Sequence, residues 1–562
     1  MLNWLSSKLG KARGEEHPLG SVAAIRRFLE QLHGQDPVDV VGEIGNWLGD
    51  DGRLAAELPP ADSRRAIRAL DEFAQTALDE LWAKLFTNPD EEVAETPRMT
   101  LATYYGHAAA AYRMAVAHFP PGPAINSQER GELCLFIGRA LRMLSHRNRL
   151  NRFRYRAGGA DHWSAVHELY RTARTRNALA ISFSMYEATP ATSVETEYLH
   201  ALMFEVAPLD NMAPRQMEIV ERYLRQVAGD LLIRDSASEQ APFIVDFHTG
   251  LPPRRWHPGL ATPNEGFFFG PGEAWQGMLS VLNLLQQEIA PGWLASIPIN
   301  RQTQAEALLL LRDHWSPQPP QRQAPRSPEE GALLVVHGFG QVRRMVAVSA
   351  YVRSGRKLTT SATYSERARV QQDYFGSVAD TALLVSKAAD PTEKLTPIEL
   401  IRKLEEGTGK DIIDHWLLAD SSSTGIGAIA PMHRSWLHVG ALIGYRRENA
   451  VYWQVAVVRR LGRNPEGKRL VGIQLLAGIP QPAHVKTVNN AEAAHSKLDG
   501  STLSEFDDAI LLSTDAGTLL VEPSHVVGDL VMIAGEKIRL VVKLAERLDG
   551  TGEFKLFRYE PA

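Results

Sequence analysis

The stretch Asp420-Ser-Ser-Ser-Thr-Gly425 follows an apolar strand, and upstream of it Arg322-Gln-Ala-Pro-Arg326 lies in a proline-rich connector. Two arginines four residues apart present rigid forks of N–H donors, which suit phosphate oxygens and guanine edges. Asp420 and the Ser422 hydroxyl accept hydrogen bonds from a purine edge, while Gly425 permits either a positive φ or a close backbone approach that a Cβ would block. The arginine spacing alone carries little weight, because Arg64/Arg68 and Arg152/Arg156 share it. The conjunction of the two motifs around a β-rich stretch predicts a nucleotide sensor rather than an enzyme.

This arrangement resembles the PilZ family, in which a β-barrel binds cyclic di-GMP through an RxxxR segment entering the barrel and a [D/N]xSxxG turn within it. Every motif position is filled here. The runs Trp436-Leu-His-Val-Gly440, Val451-Tyr-Trp-Gln-Val-Ala-Val-Val-Arg459 and Leu470-Val-Gly-Ile-Gln-Leu-Leu476 look like the strands that complete such a barrel, so the resemblance covers about 319–480. It implies that Arg322 and Arg326 hold phosphates and guanine faces, that Asp420 and Ser422 read a guanine edge, and that Gly425 allows the turn. It also implies an effector acting through a protein partner in motility, attachment or biofilm control. One departure stands out: 94 positions separate Arg326 from Asp420, so a helical insertion is expected over about 346–412. One helix is read from Ser365-Glu-Arg-Ala-Arg through Val385. A second opens at Thr396-Pro-Ile-Glu399, which supplies an N-cap, a first-turn proline and a capping-box glutamate, and stops before Gly407.

The 562-residue chain is 44% hydrophobic and 23% charged, an ordinary globular composition with material for several domains. A net charge of −5 offers no global attraction to nucleic acid or anionic lipid, so such binding would need a local patch. The single cysteine, Cys134, points to a reducing, cytoplasmic setting. No stretch reaches the roughly 18 apolar residues of a membrane span, and the N-terminus lacks a secretory h-region. Met1 to Lys11 is weakly amphipathic, with Leu2, Trp4, Leu5 and Leu9 against Lys8 and Lys11, so peripheral membrane contact is one use for it and a docked or frayed terminal helix another.

The expected organisation is multi-domain α+β. Residues 1–19 form the amphipathic segment and 20–235 a helical bundle or array, with apolar residues at helical spacing in Ala23–Leu32, Ala66–Phe73 and Glu132–Ile137. Residues 236–318 read as a small α/β module, 319–480 as the PilZ-like antiparallel barrel, and 481–562 as a C-terminal β domain of short strands. The helical half is the expected docking surface for an unidentified protein partner.

Other chemistry is weighed against this reading. Arg139 to Arg156 holds seven arginines and no acid, interleaved with Phe153 and Tyr155, which supplies a rival hypothesis of a nucleic-acid-binding regulator. Arginines on a helix also meet acidic neighbours, such as Glu195 and Glu197. A barrel kept only as a scaffold is the other alternative. His162 and His167 are five apart, not the i, i+4 spacing of a shared metal, and Asp246 with His248 has no third ligand. Gly407-Thr-Gly-Lys410 lacks the Ser/Thr and the first glycine of a phosphate loop, and Cys134 sits in an apolar run. No catalytic constellation, metal or cofactor is expected beyond the ligand cyclic di-GMP.

Overall fold

The computed structural model describes residues 17–562 except 50–53, 55–56, 88–92, 121–125, 263–264, 296–298, 322–323, 356–395, 407–411, 433, 465, 489–505, 514–516 and 536–538. The helix expected from Ser365 to Val385, the Gly407–Lys410 glycines and the amphipathic Met1–Lys11 lie outside the described residues. The chain divides between Pro320 and Gln321 into two compact units.

In the first unit, helices α1 (Val22–Leu32), α2 (Pro37–Gly49), α3 (Pro60–Lys84), α4 (Glu95–Ala117), α5 (Ser127–Arg152), α6 (Ala160–Thr175), α7 (Val194–Glu205) and α8 (Pro214–Gln226) follow in order. Their starts are set by local chemistry. Ser21 Oγ accepts from the Ala24 N–H, and Asn126 and Glu129 form a reciprocal capping box, each occupying an amide that the first helical turn leaves unpaired. Apolar residues at helical spacing are buried along α3 (Ile67, Leu70, Ala74, Leu81), α4 (Leu101, Tyr104, Ala108, Tyr112) and α5 (Leu133, Ile137, Leu141).

The run of arginines in α5 is an internal fastening rather than a nucleic-acid surface. Arg139 is 1% exposed and donates to Asp71, Glu72 and the Met185 carbonyl. Arg142 meets Glu197 at 2.6 Å, Arg149 pairs with Glu218, Arg152 with Glu205 and Asp210, and Arg154 with Glu95. Phe153 and Tyr155 are buried, so neither offers a ring to a base. The acids come from α3, α4, α7 and α8 and from the turn that holds Asp210, so the basic segment holds the bundle together. The unit ends with a four-stranded antiparallel sheet, β1 (Leu232–Arg234), β2 (Phe243–Asp246), β3 (Arg254–Arg255) and β4 (Gly266–Gly270) in the order β1-β4-β2-β3, followed by α9 (Ala274–Gln286) and α10 (Arg301–Trp315).

The second unit contains two barrels. Strands β5 (Ser327–Pro328), β6 (Ala332–His337), β7 (Asp414–Ser421), β8 (Gly425–Ala430), β9 (Leu442–Arg447), β10 (Gln454–Arg463) and β11 (Arg469–Leu475) form an antiparallel sheet. Because β7 pairs with both β6 and β8, six of these strands close on themselves as β6-β7-β8-β11-β10-β9. The expected strand Trp436–Gly440 is a turn region instead. Trp436 stacks on His337, with ring centroids 4.2 Å apart, and lies parallel to the buried Trp416 at 6.1 Å, so it covers other rings rather than joining a ladder.

The second barrel is β12 (Ile479–Thr487), β13 (Asp507–Ser513), β14 (Thr518–Val521), β15 (Leu530–Ala534), β16 (Arg539–Gly550) and β17 (Lys555–Pro561), closed in the order β12-β13-β14-β17-β16-β15.

Between β6 and β7 the chain makes a helical excursion that opens with α11 (Phe339–Ser354) and returns through α12 (Pro397–Glu406). Thr396 and Glu399 cap α12 reciprocally, with the Thr396 N–H donating to Glu399 at 2.8 Å. Val342, Met345, Val346 and Val352 of α11 share one buried cluster with Leu442, Trp453 and Val457 of the first barrel and Ile510, Leu512, Leu520 and Leu556 of the second. The helix therefore lies between the barrels. Alternate residues of the second barrel, among them Ala509, Leu511, Leu519 and Phe557, fill its own interior. Burial on both faces explains why Ala509-Ile-Leu-Leu512 reads as a continuous apolar run.

Candidate functional site

The β7–β8 hairpin carries the second motif. Ser422 N–H donates to the Gly425 carbonyl at 2.8 Å, and the Ser422 hydroxyl both donates to that carbonyl and accepts the Gly425 N–H at 3.1 Å. The hydroxyl thus locks the turn. Gly425 does not have positive φ. Its glycine is required by the alternative reason, close approach, since a Cβ there would stand 2.8 Å from the Ile473 carbonyl oxygen.

Arg326 reaches this hairpin through β5, whose Pro328 pairs with Asp420 and Ser327 with Ser421. Its guanidinium Nη1 donates to Asp420 Oδ1 at 2.7 Å, and Nη2 lies 3.7 Å from where a Cβ on Gly425 would be. The two side chains remain 29% and 34% exposed, accessible to a solute. Arg326, Asp420, Ser422 and Gly425 therefore meet in one place, while Arg322 lies outside the described residues.

Asp420 owes its direction to a β-bulge. Along β7, Trp416 and Leu418 face the barrel interior, and strict alternation would send Asp420 there too. The register against β8 instead skips Ala419, pairing Leu418 with Ala428 and Asp420 with Gly427. One extra residue turns Asp420 to the outer wall. A matching irregularity skips Arg459 in β10, so that Val458 pairs with Ile473 and Arg460 with Gly472.

Between the bulges lies a row that sequence reading misses: Asp420, Gly427, Gly472 and Arg460 are successive cross-strand partners on β7, β8, β11 and β10. Their neighbours Ile426, Ala428, Val471 and Ile473 are buried inside, so the row faces outward. A Cβ on Gly427 would meet the Asp420 carboxylate at 2.6 Å, and one on Gly472 would meet Arg460 Cβ at 3.2 Å. The two glycines add no side chains of their own to this row: the Asp420 carboxylate lies over the buried Gly427, and Arg460 stands beside the partly exposed Gly472. The available signal was a glycine inside each strand pattern, which marks close backbone approach. Beside this row, Gln474 pairs with Gly425, and its Oε1 accepts from Arg459 Nε at 2.7 Å. Arg459 also pairs with Asp549 of the second barrel.

The remaining sequence candidates are structural. His167 is buried between the Tyr198 hydroxyl at 2.7 Å and the Leu251 carbonyl at 3.1 Å, and burial drives the His162 pKa down to about 4. Asp246 accepts the His248 N–H in a local turn. Burial pushes the Cys134 thiol up to about 11, and its Sγ donates to the Ala178 carbonyl, a packed and unreactive thiol.

Comparison with known proteins bears on the two units differently. Residues 23–238, the helical part, match the family described as "Cyclic-di-GMP receptor FimW, N-terminal domain". Over 491 residues the chain is 24% identical to the cyclic-di-GMP receptor FimW of Pseudomonas aeruginosa, an alignment covering 81% of this chain and 76% of that protein.

Proposed function

We propose that this chain is a cyclic di-GMP receptor, a signalling effector rather than an enzyme, with the ligand held on the outer wall of a PilZ-like first barrel. The observation that carries the reading is that Arg326, from 94 positions away, meets Asp420 and Gly425 at one hairpin. The likeness to a protein named as a cyclic di-GMP receptor supports the same ligand. In this reading Arg326, with Arg322, holds phosphates and guanine faces. Asp420 accepts from a guanine edge, Ser422 fixes the turn, and Gly425 admits the close strand beneath. The setting is the cytoplasm, the output is contact with a protein partner through the helical unit, and the process served is motility, attachment or biofilm control. Among the described residues no helix is long and apolar enough to cross a membrane.

Calorimetric titration of the full chain with cyclic di-GMP tests the proposal. Saturable binding that weakens in Arg326→Ala and Asp420→Ala is the expected result. Absence of binding would remove the receptor function and leave the barrel as a scaffold.

A further inference from the structure

We infer that Arg460 is a further ligand-binding residue, which grips the second guanine of the dinucleotide across the glycine pair from Asp420; this rests on the receptor reading above. The argument begins with register. Asp420 and Arg460 end one cross-strand row whose two interior members, Gly427 and Gly472, project no side chain. Three interstrand spacings separate the ends, roughly 14 Å along the sheet. The Asp420 carboxylate reaches back over the buried Gly427, so the accessible stretch runs from that carboxylate past Gly472 to Arg460, and each end can meet a different guanine edge.

Chemistry separates the two ends. A carboxylate only accepts, so Asp420 suits the N1–H and N2–H2 donors of guanine. A guanidinium only donates, and its fork matches the O6 and N7 acceptors on the opposite edge of guanine. A ligand with two guanines can satisfy both ends at once. Replacing one guanine by adenine puts an N6 amino donor where Arg460 needs an acceptor, so this residue confers discrimination as well as affinity.

Both ends are aimed by the same device. The skipped Ala419 turns Asp420 outward, and the skipped Arg459 leaves Arg460 outward while Val458 and Leu461 stay buried. Bulges placed on the two strands that flank the glycine pair are the local cost of presenting opposite polarities to one ligand. Arg460 is exposed, so its replacement leaves the core intact.

The test is calorimetry on the full chain with cyclic di-GMP and with the mixed guanine–adenine cyclic dinucleotide, using wild type, Arg460→Ala, Arg460→Lys and Asp420→Ala. Arg460→Ala is expected to lose on the order of tenfold in cyclic di-GMP affinity and most of the preference over the mixed dinucleotide. Arg460→Lys keeps the charge but not the fork, and is expected to lose the preference as well. If both Arg460 variants match wild type while Asp420→Ala binds weakly, the inference fails and the receptor reading stands. If Arg460→Lys retains full preference, the contact is one of charge alone and the guanine-edge assignment fails. If wild type binds neither dinucleotide, the receptor reading falls and takes the inference with it.

Discussion

Arg326 and Asp420 stand 94 positions apart in the chain, yet the guanidinium of one donates to the carboxylate of the other at 2.7 Å. Each side chain holds the other in the place from which it would meet a ligand, so their effects on binding should be coupled. Arg326→Ala and Asp420→Ala are each expected to weaken cyclic di-GMP binding by about 1–3 kcal/mol. The double variant should lose less than the sum. Calorimetry gives the affinities. Denaturation should show changes of about 1 kcal/mol or less, as for a partly exposed ion pair.

Gly425 and Gly427 are two residues apart but guard different things. A Cβ on Gly425 runs into the backbone of Ile473, whereas one on Gly427 meets the movable end of the Asp420 side chain. Gly425→Ala is expected to destabilise the hairpin by about 1–3 kcal/mol. Gly427→Ala should leave stability nearly unchanged and reduce ligand affinity by displacing the carboxylate. Thermal denaturation and calorimetry on the same pair of variants separate the outcomes.

The Asp71 carboxylate is fully buried and accepts from Tyr104, Tyr112 and Tyr186, with Arg139 beside it at 3.3 Å. Burial raises its pKa, against the opposing pull of Arg139. Arg139→Met removes that pull and is expected to destabilise the first unit by about 3–5 kcal/mol. The double change Asp71→Asn with Arg139→Met should recover part of the loss. Urea unfolding followed by tryptophan fluorescence reads both, and a loss below 1 kcal/mol would contradict the role given to Arg139.

Acid should loosen the helical unit in two steps. Burial lowers the His200 pKa, so the folded state favours its neutral form; stability is present above the ordinary histidine pKa of about 6.5 and falls as pH drops below it. Burial works against the Glu197 carboxylate, yet Arg225 and Arg142 hold it well below the usual carboxylate range. Its contribution is present above about pH 4.5 and is lost on further acidification. The midpoint of thermal unfolding should therefore drop by several degrees between pH 7 and 5 and more steeply below pH 4.5. Glu197→Gln should make the lower limb shallower and, because the Glu197 charge also favours protonated His200, move the upper limb slightly.

Much of this was legible in the sequence. Helical spacing gave the bundle because each helix buries one stripe, and the Thr396–Glu399 signature fixed a helix start to the residue. The hairpin formed by Asp420, Ser422 and Gly425 was readable because a turn keeps its chemistry within six positions. The row that aligns Gly472 and Arg460 with Asp420 was not, since it arises only through register, which two bulges then shift. Strand β12 was hidden by Pro480 and Pro482. These prolines sit where β12 has β13 as its only ladder neighbour, the part of a strand that tolerates a missing N–H. For the arginines of α5, the acidic neighbour expected at Glu197 meets Arg142, while the partners from α3, α4 and α8 are too distant in sequence to be read locally.

The place of α11 between the barrels has a consequence for how the molecule is made. The ribosome delivers this helix and the whole first barrel before it delivers Ile510, Leu520 and Leu556, which share the helix's buried cluster. Until those strands emerge, the nascent chain carries an uncovered greasy flank of the kind that chaperones bind and that promotes aggregation. A transcript interrupted after the first barrel would then yield a sticky, short-lived product rather than a smaller working receptor.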